Sequence, residues 1–232
     1  MQETLKLVLL RHGKTQFNID KKFTGWTDVE LGEIGKKEAE NAGALLGKNN
    51  FIFDIVYTSM LKRAIATTQI ALKAMGAQAT PVVENWRLNE RCYGALQGLR
   101  HEEMAAKFGE AQVFKWRRSF DIRPPQLEKS DPRYPGNDPK YSGLSEDELP
   151  RGESLEDTVK RVMPCWEGKI IPALKSGKRV LVSASGNSLR AIVKIIDKIP
   201  DDKIPLLEIP TGKPLVYEFG ANLEPMRHYY LE

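Results

Sequence analysis

The tripeptide Arg11-His12-Gly13 follows an apolar run over residues 7–10. Such a run is typical of a buried strand, and Gly13 allows the backbone to turn where the strand ends. Open α/β sheets bind their ligands at the carboxyl ends of strands. A guanidinium grips two phosphate oxygens and a neutral imidazole can attack phosphorus, so the tripeptide predicts a site for a phosphorylated ligand. The alternative that these three residues leave open is a histidine hydrogen-bonded in a loop.

Arg63 is the second cation that the pattern places at this edge. A short strand is expected over 53–58, followed directly by Ser59 as the N-cap of a helix that runs to Met75. Arg63 then falls in the first turn of the helix, where free backbone N–H groups favour an anion. We therefore expect Arg63 to point across the same sheet edge as His12.

The rest of the chain alternates between helical and strand periodicity, which is typical of an α/β protein. The strand predicted over 179–184 ends at Ser185, so a second strand–turn–helix junction should face the first. Further strands are predicted over 80–84, 214–219 and 226–230, and helices over 31–46, 102–108, 110–119, 154–170 and 185–199, with Ser154 and Asp157 forming a capping box.

Two segments fit neither periodicity. Residues 86–98 mix charged, aromatic and glycine residues, which indicates a loop of the kind that carries function. Residues 122–150 are rich in Pro, Gly, Asp and Ser and predict a long surface excursion, a lid or subunit-contact loop rather than a linker.

Composition narrows the class of protein. The chain has 232 residues, 41% hydrophobic and 28% charged, which fits one α/β domain over 1–232. It contains neither the ~20-residue apolar run of a membrane span nor a signal peptide. Cys92 and Cys165 have no metal-ligand or redox spacing, so we expect a reduced compartment. The net charge of +4 suits a protein that binds anionic small molecules. It is too small to indicate the dense basic patch of a nucleic-acid binder.

Longer motifs carry a family resemblance from Lys6 to Tyr230. They are Leu-Leu-Arg-His-Gly with Asn18, Phe-Thr-Gly-Trp-Thr-Asp, Tyr-Thr-Ser-Met-Leu-Lys-Arg-Ala-Ile, Trp-Arg-Leu-Asn-Glu-Arg-Cys-Tyr-Gly-Ala-Leu-Gln-Gly-Leu, Trp-Arg-Arg-Ser-Phe, Gly-Asn-Ser-Leu-Arg and Pro-Thr-Gly-Lys-Pro-Leu-Val-Tyr-Glu. In this order they resemble the cofactor-dependent phosphoglycerate mutases of the histidine phosphatase superfamily. The resemblance implies a three-layer α/β/α sandwich with a mostly parallel central sheet, a cytoplasmic role in glycolysis and gluconeogenesis, a homodimer or homotetramer, and no metal.

The resemblance also assigns roles to residues. His12 would become phosphohistidine, Arg11 and Arg63 would hold the phosphoryl group, and Glu90 would be the general acid and base for the substrate hydroxyl. Residues implied to line the pocket for the rest of the phosphoglycerate are Asn18, Thr24, Gly25, Arg91, Tyr93, His101, Arg117, Arg118, Gly186 and Asn187. His101 stands for the family's usual lysine and could still be cationic, with Arg100 beside it. By itself, the cluster of Lys115, Arg117 and Arg118 is typical of a solvated helix face. The resemblance implies instead that these cations bind a phosphate or a carboxylate.

Four features depart from the family pattern. Ser185 stands in place of a second histidine, Lys14 in place of an acidic residue and Cys92 in place of a histidine. The chain also stops at Glu232, before the family's C-terminal tail. A serine hydroxyl is shorter and uncharged, so we expect a folded protein that binds phosphoglycerate and has weak mutase activity.

Three functions follow as hypotheses. The first is an isomerase that interconverts 3-phosphoglycerate and 2-phosphoglycerate, primed by 2,3-bisphosphoglycerate through His12. The second is a phosphatase or a bisphosphoglycerate synthase-like enzyme, since a more open pocket lets water intercept the phosphoenzyme. The third is a catalytically weak protein that binds phosphoglycerates and acts through its partners.

Overall fold

A six-stranded sheet runs through the middle of the molecule, whose computed structural model describes residues 4–232. Its strands lie in the order β3-β2-β4-β1-β5-β6. The first four are parallel, whereas β5 and β6 are antiparallel to their neighbours, so the mostly parallel sheet is confirmed. The strands are β1 (Leu5–Arg11), β2 (Ile55–Thr58), β3 (Val82–Glu84), β4 (Val180–Ala184), β5 (Leu215–Phe219) and β6 (Pro225–Tyr230).

Helices surround the sheet. Within residues 4–232 they are α1 (Gln16–Ile19), α2 (Glu33–Lys48), α3 (Lys62–Ala74), α4 (His101–Phe108), α5 (Glu110–Arg118), α6 (Leu155–Cys165), α7 (Ile171–Lys175) and α8 (Gly186–Asp197). A π-helical turn over Trp166–Ile170 joins α6 to α7, so the helix predicted to end at residue 170 continues to Lys175. None of these described helices is long and apolar enough to cross a membrane.

Two apolar layers cover the two faces of the sheet. Successive side chains of a strand point to opposite faces. Leu7 and Leu9 of β1 therefore pack against α6 and α8, whereas Val8 and Leu10 pack against α2 and α3. All four side chains are fully buried. This is the expected α/β/α sandwich, and it holds the end of β1 between two helical layers.

The start of α3 differs from its prediction. Its N-cap is Leu61 rather than Ser59, because the Ser59 hydroxyl accepts the Leu61 N–H at 3.3 Å in a turn before the helix. Arg63 nevertheless lies in the first turn, as expected. Likewise α2 begins at Glu33 rather than at Leu31, which is buried just ahead of the helix.

The predicted excursion over 122–150 packs onto the loop that carries Glu90. The hydroxyl of Tyr141 accepts a hydrogen bond from Nδ2 of Asn89 at 2.8 Å, and its ring lies 4.8 Å from that of Trp26. Tyr141 is 3% exposed, so this part of the excursion belongs to a small buried cluster. A lid or subunit-contact role stays a prediction.

Candidate active site

A cavity of about 890 Å³ opens at the carboxyl ends of β1 and β4. Most of the predicted site residues line it: Arg11, Asn18, Thr24, Glu90, Tyr93, His101, Arg117, Arg118, Gly186 and Asn187. The others, His12, Gly25, Arg63, Arg91 and Ser185, are buried beside or behind that wall. The topology thus brings the predicted residues together at one sheet edge.

His12 and Arg63 lie in direct contact at the end of β1. Nδ1 of His12 is 2.8 Å from the carbonyl oxygen of Gly13, which can only accept, so the ring proton is on Nδ1. Nε2 is left with its lone pair and accepts a hydrogen bond from Nε of Arg63 at 3.2 Å. The carbonyls of Thr27 and Gly25 hold the other end of this guanidinium at 2.9 and 2.7 Å. Gly25 therefore supports Arg63 and does not line the cavity.

The turn after His12 is held by a close backbone contact. A Cβ on Gly13 would lie 2.2 Å from the carbonyl oxygen of Gly35 in α2. On the other side, the N–H of Gly13 donates to Oγ1 of Thr67 at 3.1 Å. Helices α2 and α3 therefore both determine where the imidazole sits.

Burial and positive neighbours keep His12 neutral. The pKa of His12 lies well below its ordinary value, first because the ring is buried and second because Arg63 and Arg11 oppose a further positive charge. Its backbone N–H donates to the carbonyl of Ala184 at 3.0 Å, which ties β1 to the end of β4. A neutral imidazole with its Nε2 lone pair is the form that attacks phosphorus.

Arg11 reaches from β1 into the cavity. Its guanidinium donates to the carbonyl of Ile209 at 2.7 Å and packs against Gly186, where a Cβ would lie 3.2 Å from it. The Nε of Arg11 is buried without a partner among the described residues. A buried donor in that state favours an acceptor brought by a ligand.

Glu90 is held at the wall by backbone donors. Its Oε1 accepts the N–H of Arg91 at 2.7 Å and that of Asn187 at 3.1 Å. Its carbonyl accepts Nε1 of Trp26 at 2.6 Å and Arg161 at 3.1 Å. No hydrogen bond to Oε2 occurs within residues 4–232, so one carboxylate oxygen remains for proton transfer.

Further arginines lie at the cavity wall or are buried directly behind it. Arg91 is fully buried. Its Nη2 donates hydrogen bonds to the Tyr93 hydroxyl at 3.0 Å and to the Arg117 carbonyl at 2.6 Å. Arg190, which we had not predicted, lines the cavity and donates to Oδ1 of Asn187 at 2.8 Å. Burial lowers the pKa of Arg190 to about 10. The sequence signal for it was an arginine within a helix whose other residues are mostly apolar, three residues after Asn187.

Two expected cations differ from their predictions. Burial, followed by the charges of Arg117 and Arg118, lowers the pKa of His101 to about 4, so His101 is neutral near pH 7 rather than cationic. Lys115 is exposed and does not line the cavity, because α5 directs it to solvent. The exposed Arg100 is the N-cap of α4 and does not line the cavity either.

Ser185 is fully buried between β4 and α8. Its N–H donates to Oγ of Ser188 at 3.2 Å, but its own Oγ has no partner among the described residues. Lys14 lines the cavity, with Nζ 3.5 Å from Oε1 of Glu38. Cys92 is buried away from the cavity, and burial raises the pKa of its thiol to about 12.

The sequence matches the histidine phosphatase superfamily (branch 1) over residues 7–133 and 132–229. The chain belongs to this superfamily. Its members are phosphoryl-transfer enzymes, phosphatases and mutases, which agrees with a cavity lined by arginines and with His12 buried beside it.

Solved structures of phosphatases share this superfamily fold. The chain is 24% identical to mycobacterial glucosyl-3-phosphoglycerate phosphatase in complex with VO3, with a TM-score of 0.73 and 97% of each chain covered. It is 21% identical to the α-ribazole phosphatase of Shigella flexneri, with a TM-score of 0.69, covering 98% of this chain and 96% of that one. At these sequence identities, the similarity to the two solved structures shows a shared fold and nothing more.

Proposed function

We propose that this histidine phosphatase superfamily protein transfers a phosphoryl group from a small phosphorylated acid to Nε2 of His12. The observation that carries the proposal is the neutral, buried His12, which is hydrogen-bonded to Arg63 and follows Arg11 directly, beside a cation-lined cavity. Phosphoryl transfer needs mainly alignment and positive charge around the equatorial oxygens, and this arrangement provides both.

The chemical step follows from the positions of His12, Arg63 and Glu90. The lone pair on Nε2 of His12 forms a bond to phosphorus while the ester P–O bond breaks. Arg63 moves its Nε hydrogen bond from His12 to a phosphoryl oxygen. Glu90 gives a proton to the leaving oxygen and later takes one from the attacking hydroxyl or water, as a general acid and base.

The ligand class follows from two sets of cationic donors. Arg11 and Arg63 would serve a phosphoryl group beside His12, and Arg117, Arg118 and Arg190 line the same cavity as Arg11. The buried Nε atoms of Arg11 and Arg190 both lack a partner among the described residues. A phosphoglycerate, with a phosphate and a carboxylate, fits these two sets of donors, and so does the primer 2,3-bisphosphoglycerate.

The phosphohistidine then has two fates. Return of the phosphoryl group to a phosphoglycerate hydroxyl makes the protein a mutase, which the motifs from Lys6 to Tyr230 favour. Transfer to water makes it a phosphatase, which is at least as well supported, since the solved structures named above are phosphatases. Ser185 does not distinguish the two fates, because a donor to the oxygens of the transferring phosphoryl group would serve an alcohol and water as acceptors alike.

Product analysis tests the proposal. The protein is incubated with 2,3-bisphosphoglycerate, and acid-labile phosphate is located by mass spectrometry. We expect it on His12, and phosphate that persists in His12→Ala would overturn the proposal. With 3-phosphoglycerate added, the ratio of 2-phosphoglycerate to inorganic phosphate distinguishes mutase from phosphatase. Calorimetric binding without phosphorylation of His12 would leave a phosphoglycerate-binding protein.

A further inference from the structure

The cavity wall contains a carboxylate that the proposed chemistry does not use. Glu208 precedes β5, and its Oε1 forms an ion pair with the guanidinium of Arg118. The Glu208 side chain is 74% exposed, whereas that of Arg118 is 23% exposed. The ion pair therefore joins a solvent-exposed carboxylate to a less exposed cation of the cavity wall.

The backbone around Glu208 is held firmly. The carbonyl of Ile209 accepts from Arg11 at 2.7 Å, and the N–H of Gly212 donates to the carbonyl of Arg11 at 3.0 Å. Between them, Oγ1 of Thr211 donates to Glu38 at 3.1 Å. Because the neighbouring residues are tied to β1 and α2, the exposed Glu208 side chain can rotate away without moving the wall.

The charge of Glu208 also acts on other cations of the cavity. Burial lowers the pKa of Arg117 and of Arg11, and the negative charge of Glu208 opposes part of that lowering. Among the residues that line the cavity, the carboxylates are Glu208 and Glu90, and the Oε1 of Glu90 already accepts two backbone N–H groups. Glu208 is thus the carboxylate that an incoming acid meets at Arg118.

We propose that Glu208 is a specificity-determining residue whose carboxylate occupies Arg118 until the carboxylate of a ligand displaces it. The inference rests on the proposed function, since it requires a phosphorylated acid as ligand. An exposed ion pair contributes little, so displacing Glu208 should weaken the binding of such an acid by about two- to fivefold. A phosphate ester without the carboxylate leaves the Glu208–Arg118 pair in place and is not weakened.

The opposite role makes the opposite prediction. If Glu208 instead orients Arg118 for the ligand, removal of its charge weakens binding of the acid. If Glu208 acts only through its negative charge at the mouth, its removal strengthens the binding of every phosphate ester equally.

Isothermal calorimetry on the full chain distinguishes these roles. The ligands are 3-phosphoglycerate and glycerol 3-phosphate, which lacks the carboxylate, and the variant is Glu208→Gln. The control is Glu156→Gln, which removes a partly exposed carboxylate that pairs with Lys160 at 2.7 Å outside the cavity. We expect Glu208→Gln to bind 3-phosphoglycerate about two- to fivefold more tightly and glycerol 3-phosphate as wild type does, whereas the control changes neither affinity.

Weaker or unchanged binding of 3-phosphoglycerate by Glu208→Gln, or equal gains for both ligands, would overturn the inference and leave the proposed function standing. If wild type binds neither ligand, the proposed ligand class is wrong and the role of Glu208 falls with it. Thermal unfolding of Glu208→Gln confirms that the variant is folded.

Discussion

Nε of Arg63 lies 3.2 Å from Nε2 of His12 and donates its hydrogen to the lone pair that would attack phosphorus. The two side chains are buried, and the opposite ring nitrogen of His12 is held by the Gly13 carbonyl. The lone pair of the proposed nucleophile therefore already accepts a hydrogen bond. A phosphoryl oxygen that draws the guanidinium away uncovers the lone pair at the place where it is needed.

The lowered pKa of His12 predicts a pH-dependent stability. In the unfolded chain a histidine takes up a proton near pH 6.5, whereas folded His12 stays neutral. The unfolded state then binds more protons below pH 6.5, so the free energy of unfolding falls as the pH is lowered. Above pH 6.5 both states are neutral at this residue, and the effect is absent.

Urea unfolding at pH 7.5 and pH 5.0 measures this effect. We expect the loss of unfolding free energy between the two pH values to be smaller in His12→Gln than in wild type. His228→Gln serves as control, because His228 is half exposed. Equal losses in wild type and His12→Gln would contradict the neutral state of His12.

Glu90→Gln should lower the rate of phosphoryl transfer by roughly 10²–10⁴, the usual contribution of a general acid or base. Gln keeps an oxygen that can accept the N–H groups of Arg91 and Asn187, so the wall and substrate affinity should be nearly unchanged. Single-turnover phosphorylation of His12 and calorimetry measure the two quantities. An unchanged rate would return Glu90 to a structural role.

Ser185→His should raise mutase activity at least tenfold. An imidazolium there would donate a charged hydrogen bond to the phosphoryl oxygens, and one such donor contributes about 10²–10³ in rate. We expect an almost unchanged melting temperature. Ser185→Ala is the control, since it removes a hydroxyl that has no partner within residues 4–232. If Ser185→His has no effect or lowers activity, the site is built around serine.

Arg190→Met should raise the KM for 3-phosphoglycerate more than it lowers kcat. Arg190 holds Asn187 at 2.8 Å and the carbonyl of Ile204 at 2.8 Å, and it lines the wall that would receive the carboxylate. Hydrogen bonds of a charged group contribute about 1.5–3 kcal/mol each, so a tenfold or larger change is expected. Partial recovery in Arg190→Lys would support the role of the charge. A fall in melting temperature with unchanged KM would indicate a structural residue.

His101 should titrate at about pH 4 in the free protein, because burial and the charges of Arg117 and Arg118 oppose its protonation. A phosphate or carboxylate bound near these arginines would offset their positive charge, so it should raise the pKa of His101. Nuclear magnetic resonance of the imidazole with and without inorganic phosphate measures both values. A titration near pH 6.5 in the free protein would contradict the structure.

The sequence was most informative where local periodicity places a side chain. An apolar run followed by a glycine placed His12 at a strand end, and the next strand and helix placed Arg63 in a first helical turn. Both follow from short stretches of chain. The start of α3 was predicted two residues early, because the Ser59 hydroxyl makes a turn bond that resembles a helix cap.

Contacts between distant segments could not be predicted. The neutral state of His101 in α4 depends first on its burial and then on Arg117 and Arg118 of α5, and spacing along the chain predicts neither. Glu208 lies 90 residues from its partner Arg118, so only the fold relates them. A pattern identifies residues that can do chemistry, but their charge state is decided by tertiary neighbours.

The position of β1 in the sheet determines when the catalytic cavity can exist during synthesis. Residues 7–11 pair with 180–184 on one side, and residues 5–9 pair with 215–219 on the other. His12 leaves the ribosome well before the strands on both sides of β1, which follow it by more than 160 residues. Pairings this distant in sequence form slowly, because a long loop must close first. A nascent chain that stops before residue 180 therefore contains His12 but lacks both strands that flank β1.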